Sequence, residues 1–139
     1  MTVADVDAAV KLDAKCFGTN DAWSRADFFD MATSDDTECF VAECDGKIIA
    51  CAGAEIFYDV AEIDSLAVDP DFRRQGIGTL IFVKLLSAIK LRGVMFVMLE
   101  VRLSNATAIE LYKKFGFRVV DRQKNFYGDE DALIMAREL

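Results

Sequence analysis

The chain has 139 residues and a formal net charge of −8, with 53% apolar and 29% charged residues. This length and apolar content predict a single folded domain over residues 1–139 and exclude a disordered chain. The negative charge argues against nucleic acid as a main partner and favours a cationic ligand, such as an amine or a basic peptide.

No signal peptide is recognisable, and no apolar run is long enough to span a membrane, so we expect a cytoplasmic protein without a membrane partner. The chain has no histidine and no Cys-x-x-Cys spacing, which argues against a metal site. Acid–base chemistry is therefore left to carboxylates, Tyr, Cys and Lys. Four cysteines are expected to be free, buried thiols: Cys16, Cys39, Cys44 and Cys51.

The first half of the chain predicts two helices followed by an antiparallel meander. Thr2-Val3-Ala4-Asp5 resembles a capping box at the start of a first helix, and apolar spacing predicts that this helix ends near Gly18. Ser24 is a suitable cap for a second helix. Asp45-Gly46 is a strong hairpin turn between the first two strands. The predicted strands are Thr37–Cys44, Lys47–Tyr58 and Ala61–Val68.

The second half predicts a strand–helix–strand unit, whose two strands should run parallel. Its helix, Ile77–Leu91, is apolar almost all round and should be buried. The strand Val94–Leu99 lacks alternation, as a central strand covered on both faces would. Ser104-Asn105 then caps a short helix that ends at Gly116. Two closing strands are predicted at Phe117–Arg122 and Asp131–Arg137.

The loop between Val68 and the following helix contains Gly76 and Gly78. Glycine permits a close approach of the backbone and a positive φ. The first amides of a helix lack partners within the helix and lie at the positive end of its dipole. We therefore expect a pyrophosphate cradle, with a plain turn and helix start as the alternative. It is not a Walker A loop, and Ile81 replaces the third glycine of a dinucleotide fingerprint.

Three motifs in this order resemble the GNAT acetyltransferase superfamily: Arg73-Arg74-Gln75-Gly76-Ile77-Gly78, Leu99-Glu100-Val101-Arg102-Leu103-Ser104-Asn105-Ala106 and Leu111-Tyr112-Lys113-Lys114-Phe115-Gly116-Phe117. The second motif resembles the RimI-type branch, the ribosomal-protein-alanine N-acetyltransferases. The resemblance implies an α/β fold with a twisted mixed sheet of about six strands and about four flanking helices. The sheet would splay between the fourth and fifth family strands. Because the first helix begins almost at Met1, the first family strand should be absent or a stub.

The resemblance also implies that acetyl-CoA binds where the two strands splay, since a pantetheine arm can pair with free strand groups. Leu66, Ala67 and Val68 would hold that arm through backbone bonds, and Asn105 would contact the cofactor beside the thioester. No metal is implied. The loop residues that would bind the pyrophosphate are Arg73, Arg74, Gln75, Gly76, Ile77, Gly78 and Thr79.

Glu100 interrupts an apolar strand at its end, where burial would raise its pKa towards the range of a useful base. The resemblance assigns the role of base to Glu100 and the role of general acid to Tyr112. The backbone N–H of Val68 is a plausible oxyanion donor. The structural alternatives are a Glu100 that forms a salt bridge with Arg102 and a Tyr112 that serves only in the core.

A competing base lies on the strand that leads to Val68. Simple alternation would place Glu62 and Asp64 on the same face as Leu66 and Val68. Either carboxylate could act as the base or make the pocket acidic for a cationic N-terminus. The resemblance also places substrate-binding aromatic residues in a peptide groove: Trp23, Tyr58 and Tyr127.

Three functions remain open at this point. The first is acetyl transfer from acetyl-CoA to a protein N-terminal α-amine, with the N-terminal alanine of a small-subunit ribosomal protein as the leading acceptor. The second is acetylation of a lysine side chain, a polyamine or another small amine. The third is a non-catalytic CoA-binding sensor, which the presence of both Glu100 and Tyr112 argues against. We expect a monomer or a weak dimer.

Overall fold

The computed structural model describes residues 1–139, which form one six-stranded mixed sheet in the order β1-β2-β3-β4-β6-β5. The strands are β1 (Thr37–Cys44), β2 (Lys47–Phe57), β3 (Val60–Val68), β4 (Phe96–Arg102), β5 (Arg118–Gln123) and β6 (Ala132–Glu138). The α-helices are α1 (Val6–Asp21), α2 (Arg25–Thr33), α3 (Ile77–Leu91) and α4 (Ala106–Lys114), and short 3-10 turns span Val3–Asp5 and Pro70–Phe72.

The predicted fold class is confirmed, including the number of strands and helices. No strand precedes α1 in the described chain, and β1 forms one edge of the sheet. The amino group of Met1 donates to the carbonyl oxygen of Cys39 in β1 at 3.1 Å. The first helix runs further than predicted, because it continues to Asp21 across a break at Gly18, where φ is 73°. None of the helices is both long and apolar enough to cross a lipid bilayer.

The two faces of the sheet bury two separate cores. The larger core lies under α3 and includes Phe82, Leu85 and Val97, and the smaller core lies under α1 and α2 and includes Val6 and Phe28. Each core forms because successive strand residues point to opposite faces, so that apolar residues on both faces need a helix to cover them.

Several predicted burials are wrong. Leu80 and Leu91 of α3 are 71% and 89% exposed, so this helix buries one face rather than its whole circumference. Met95 and Phe96 are exposed, because α1 and α2 pack over β1 to β3 and leave the start of β4 uncovered. Among the cysteines, all of which are free, Cys44 is exposed rather than buried.

The sheet opens between its two parallel strands, as predicted. β3 and β4 pair only from Val60 with Phe96 to Ile63 with Leu99. β2 continues to pair with β3 as far as Val68, while β6 pairs with the whole of β4. The outer strands thus hold the two inner strands in place, and a gap remains between the carboxyl ends of β3 and β4.

A β-bulge at Asp64 changes which side chains share a face. Asp64 has no partner residue on β2, because the register of the two strands shifts at this position. Ile63 packs in the α3 core before the bulge, and Leu66 packs against the same core after it, although strict alternation would separate them. Glu62 therefore faces away from Leu66 and Val68, and the expectation that these residues share a face is wrong.

Buried Asp69 anchors the junction between β3 and the glycine-containing loop. Its carboxylate accepts from Lys15 of α1 at 2.9 Å and lies 3.3 Å from the ammonium of Lys47 in β2. It also accepts from the backbone N–H of Asp71 at 3.0 Å. The Lys15 hydrogen bond is the main cause of a pKa of about 2 for Asp69. The start of the loop is thereby tied to both a helix and a neighbouring strand.

Candidate active site

Backbone polar groups of β3 face the gap. The N–H of Asp69 donates to the carbonyl oxygen of Ile49 at 2.8 Å. Hydrogen-bonded pairs alternate along an antiparallel ladder, so the polar groups of Ala67 also face β2, whereas those of Leu66 and Val68 face the gap. The expectation for Ala67 is therefore corrected: its backbone groups point to β2 and its side chain lies in the α1 core.

The same argument applies to the opposite side of the gap. The N–H of Leu103 donates to the carbonyl oxygen of Asp131 in the turn before β6, at 3.1 Å. The backbone groups of Glu100 and Arg102, which lie between the bonded positions of the β4–β6 ladder, therefore point into the gap. Both walls of the gap thus offer free donors and acceptors to an extended, amide-containing ligand.

The carbonyl group of Val68 has two donors from the protein itself. The thiol of Cys16 donates to it at 3.3 Å, and Nε of Arg73 donates to it at 3.0 Å. Arg73, which was predicted to bind the cofactor, uses its Nε for this contact with the end of β3. The N–H of Val68 remains as the free polar group at this end of the strand.

A row of free amides follows, in the loop and the first turn of α3. None of the backbone N–H groups from Arg74 to Thr79 donates to a protein acceptor, and the first helical bond runs from the N–H of Leu80 to the carbonyl of Gly76 at 3.0 Å. Gly76 caps α3 without a side chain, at a φ of 77°. Free amides at the start of a helix form an anion site. The free amides that the sequence predicted at this loop are therefore present, and their role as a pyrophosphate cradle stays a prediction.

The residues present fit acetyl-CoA. The free amides of residues 74–79 suit its pyrophosphate, and the free groups of Leu66 and Val68 suit the amides of its pantetheine arm. Asn105 lines the gap as well, and its Oδ1 accepts from the N–H of Ala108 at 3.2 Å to cap α4. The side-chain amide of Asn105 keeps its own N–H donors for a ligand.

A cavity of about 290 Å³ lies at the gap and brings together residues that are distant in sequence. Among the predicted site residues, it is lined by Trp23, Asp64, Leu66, Glu100, Asn105, Tyr112 and Tyr127. Tyr58 is not among them: it is 99% exposed in the turn between β2 and β3, and its predicted place in the groove is wrong.

Glu100 lies among other carboxylates. Burial, and then the neighbouring Glu62, raises the pKa of Glu100 to about 7. Burial and nearby Glu62, Glu55 and Glu100 likewise raise the pKa of Asp64 to about 7. None of these four carboxylates forms a salt bridge. The alternative in which Arg102 pairs with Glu100 is therefore not realised.

Tyr112 is part of the core and of the cavity at the same time. Its ring packs against those of Phe82 and Phe117, with centroids 5.6 and 6.0 Å away. Burial raises the pKa of Tyr112 to about 12, so the phenol stays protonated at neutral pH. The residue is 8% exposed and is one of those that line the cavity.

Sequence reasoning missed several cavity residues on α1. Asp13 is buried, burial raises its pKa, and it accepts from the N–H of Trp23 at 2.8 Å. Phe17 lies one turn further along α1 and lines the same cavity. The available signal was an acid on the apolar face of a predicted helix, between Leu12 and Cys16, because such an acid is rarely left there without a role.

The profile of the acetyltransferase (GNAT) family matches residues 6–117. The chain belongs to this family. The GNAT chain is 42% identical to the [ribosomal protein bS18]-alanine N-acetyltransferase of Salmonella typhimurium over 96 residues, which cover 66% of the chain and 65% of that relative. The chain thus spans slightly less than two thirds of this curated relative's length.

Two solved structures share the fold of this GNAT chain. The ribosomal-protein-S18-alanine N-acetyltransferase from Escherichia coli is 34% identical, with a TM-score of 0.90 over 99% of this chain and 90% of that one. Ard1 from Thermoplasma volcanium is 26% identical, with a TM-score of 0.92 over 100% and 94% of the two chains. The predicted membership of the GNAT superfamily and its RimI-type branch is confirmed.

Proposed function

We propose that this chain transfers the acetyl group of acetyl-CoA to the N-terminal α-amine of a protein, and that the acceptor is the N-terminal alanine of a ribosomal protein. One observation carries the proposal: the row of free amides from Arg74 to Thr79 follows β3, and Glu100, a carboxylate without a cation partner, lines the gap at the end of that strand. The names of the Salmonella and Escherichia coli relatives support the acceptor. The reaction would take place in the cytoplasm.

The chemistry follows from the residues at the gap. Acetyl-CoA supplies an acetyl group that is already activated as a thioester. Glu100, with a pKa of about 7, takes the proton from the acceptor ammonium, directly or through a water. The backbone N–H of Val68 stabilises the negative charge that develops on the acetyl oxygen. The amine nitrogen bonds to the acetyl carbon and the carbon–sulfur bond breaks. Tyr112, protonated at neutral pH, gives its proton to the departing sulfur, and the second proton lost by the nitrogen returns to the phenolate, directly or through a water.

The charge of the cavity favours a cationic acceptor. Its lining contains four acids, Asp13, Asp21, Asp64 and Glu100, and one cation, Arg102. Arg102 adds little positive field, because it is bound to carboxylates that outnumber it. An α-ammonium group enters such a site more favourably than an anion or a neutral group. A lysine side chain or a small amine fits this charge as well and remains the second candidate.

Mass spectrometry of protein N-termini, in source cells with and without this protein, tests the acceptor. We expect the N-terminal alanine of ribosomal protein bS18 to lose its acetyl group when the protein is absent. Expression of wild type should restore it, whereas a Glu100→Gln variant should restore much less. If no N-terminus changes, the proposed acceptor is wrong.

A panel of amines separates the remaining functions. Purified protein is given acetyl-CoA with N-terminal peptides, with peptides blocked at the N-terminus that contain lysine, or with polyamines. Preference for the free N-terminal peptides supports the proposal, and preference for the blocked peptides or the polyamines supports the second candidate. Tight binding of acetyl-CoA without release of CoA on any acceptor would favour the sensor.

A further inference from the structure

Arg102, the last residue of β4, holds carboxylates from two separate parts of the chain. Its Nε donates to Asp21 at the end of α1 at 2.7 Å, and its Nη2 also contacts that carboxylate. Its Nη1 donates to Asp129 at 3.0 Å and to Glu130 at 3.2 Å, in the segment between β5 and β6. One guanidinium thus joins segments more than a hundred residues apart in sequence.

The same side chain also positions an aromatic wall of the cavity. The guanidinium carbon lies 4.2 Å from the centroid of the Tyr127 ring, a stacking distance for a cation–π contact. Glu130 in turn accepts from the N–H and the hydroxyl of Ser104 at 3.0 and 2.9 Å, which fixes the approach to α4. On the α1 side, Asp21 lies two residues before the other aromatic wall, Trp23.

We propose that Arg102 is a positioning residue for the acceptor: it latches residues 21–24 to residues 124–131 and thereby sets Trp23 and Tyr127 as the two walls of the acceptor site. This inference rests on the proposed function, because it takes the cavity between these loops as the place of the amine. Arg102 does not pair with Glu100, so its role differs from that of the base.

The chemistry of the side chain explains why an arginine is needed. A guanidinium presents five N–H donors in a planar fork and can also stack on a ring, whereas a lysine ammonium is a compact point charge. The side chains of Arg102, Asp21 and Glu130 are 24%, 25% and 22% exposed, so their contacts are screened less than those of an ordinary surface pair. Loss of Arg102 would leave three carboxylates facing one another across the site.

The test uses Arg102→Met, which keeps an apolar stem and removes the fork, and Arg102→Lys. Arg122→Met is the matched control, because Arg122 binds Asp131 at 2.7 Å in the same β5–β6 hairpin without reaching α1. We measure the Kd of acetyl-CoA by calorimetry and the KM and kcat for a peptide carrying the first residues of bS18. Amide hydrogen exchange is followed in both loops.

We expect Arg102→Met to raise the acceptor KM by about tenfold or more, because truncation of a partly buried charge pair weakens binding by at least that factor. The Kd of acetyl-CoA should stay unchanged. Arg102→Lys should recover only part of this loss. Exchange should accelerate in both loops of Arg102→Met but only in residues 124–131 of Arg122→Met. Asp21→Asn cuts the link to α1 alone and should raise KM in the same direction, which provides a second variant if Arg102→Met does not fold.

The proposal is overturned if Arg122→Met raises the acceptor KM as much as Arg102→Met, or if the Kd of acetyl-CoA rises by the same factor as KM. Full recovery in Arg102→Lys would show that charge alone suffices and would equally contradict it. If wild type acetylates no N-terminal peptide, the proposed function fails by itself. Hydrogen exchange then still decides whether Arg102 holds the two loops together.

Discussion

At the scale of single residues, the proposed chemistry depends on a group of carboxylates at and beside the gap. Glu62 and Glu100 lie on neighbouring strands and on the same face of the sheet, and burial and then the negative charge of Glu62 raise the pKa of Glu100. Glu55 lies directly opposite Glu62 on β2, and like charges in that arrangement repel. A cluster of carboxylates without a cation destabilises the folded protein. A binding site for an amine would tolerate this cost.

Replacement of Glu100 tests the identity of the base. We expect Glu100→Gln to lower kcat/KM for the acceptor by at least about tenfold, because a positioned base contributes roughly 10²–10⁴ to the rate. Calorimetry with acetyl-CoA should show unchanged affinity, since the substitution changes only the side chain and leaves the backbone groups of Glu100 that face the gap in place. The assignment fails if Glu100→Gln retains activity while Glu62→Gln loses it.

Replacement of Glu62 tests how the base is tuned. With a pKa of about 7 for Glu100, the wild-type kcat/KM should fall as the pH drops below about 7, because the base becomes protonated. Glu62→Gln removes a negative neighbour, so the pKa of Glu100 should decrease and the acidic limb of the pH profile should move to lower pH. Asp64 and Tyr127 also face Glu100 and are unchanged in this variant.

Glu55→Gln is the control for this profile. Glu55 neighbours Glu62 and does not act on Glu100 itself, so its replacement should move the acidic limb less. Loss of activity in Glu62→Gln at every pH, in place of a displaced limb, would identify Glu62 as the base.

At the scale of elements, β3 builds most of the site. The bulge at Asp64 turns Leu66 and Val68 so that their side chains pack under α3, while their backbone groups face the gap. Asp69 then fixes the point where the strand passes into the loop. The loop ends at Gly76, whose left-handed conformation aligns the first amides of α3. In the proposed reaction, one continuous stretch would therefore provide the strand pairing, the oxyanion donor and the anion cradle.

Gly76→Val tests the cradle. A β-branched residue at a φ of 77° is strained by about 1–3 kcal/mol, and the loop would relax by turning its amides away. We expect the Kd of acetyl-CoA, measured by calorimetry, to rise by about tenfold or more, since each 1.4 kcal/mol is a factor of about ten.

Gly46→Val is the matched control, because Gly46 has a φ of 78° in the β1–β2 turn and, as at Gly76, a Cβ added there would meet no heavy atom within 4 Å. It carries the same backbone strain away from the cradle. Equal losses of acetyl-CoA affinity in both variants, or no loss in Gly76→Val, would contradict the cradle.

At the scale of the whole molecule, the net charge of −8 complements a basic acceptor. An acidic protein attracts a cationic peptide over distances comparable with the Debye length, about 10 Å at 0.1 M salt. The acids that line the cavity extend this field into the site itself. We therefore expect selection of the acceptor to combine a long-range field with the local walls that Trp23 and Tyr127 would form.

Salt dependence tests this role of charge. We expect kcat/KM for an N-terminal peptide with several lysines to fall as KCl increases, because screening weakens the attraction. A peptide of the same length with those lysines replaced by glutamine should show little change. The same salt dependence for both peptides would show that the field of the protein plays no part in acceptor choice.

Much of this architecture is predictable from local sequence patterns. Asp45-Gly46 specifies a hairpin, Ser24 and Asn105 cap helices through their own side chains, and periodicity places the strands and helices within a few residues. The glycines before α3 similarly predict free amides, because the first N–H groups of any helix lack partners. These features depend on neighbours in sequence, and the structure agrees with them.

The tertiary structure decided what depends on residues far apart in the chain. Strand register determined that Asp64 bulges and that Glu62 turns away from Leu66, since alternation alone contains no information about a shift in pairing. α1 packs so that Asp21 contacts Arg102. Arg102 therefore does not form the salt bridge with Glu100 that their closeness in sequence suggested. The sequence by itself therefore determined the elements, the free amides before α3 and the family, whereas the fold decided which charged side chains meet.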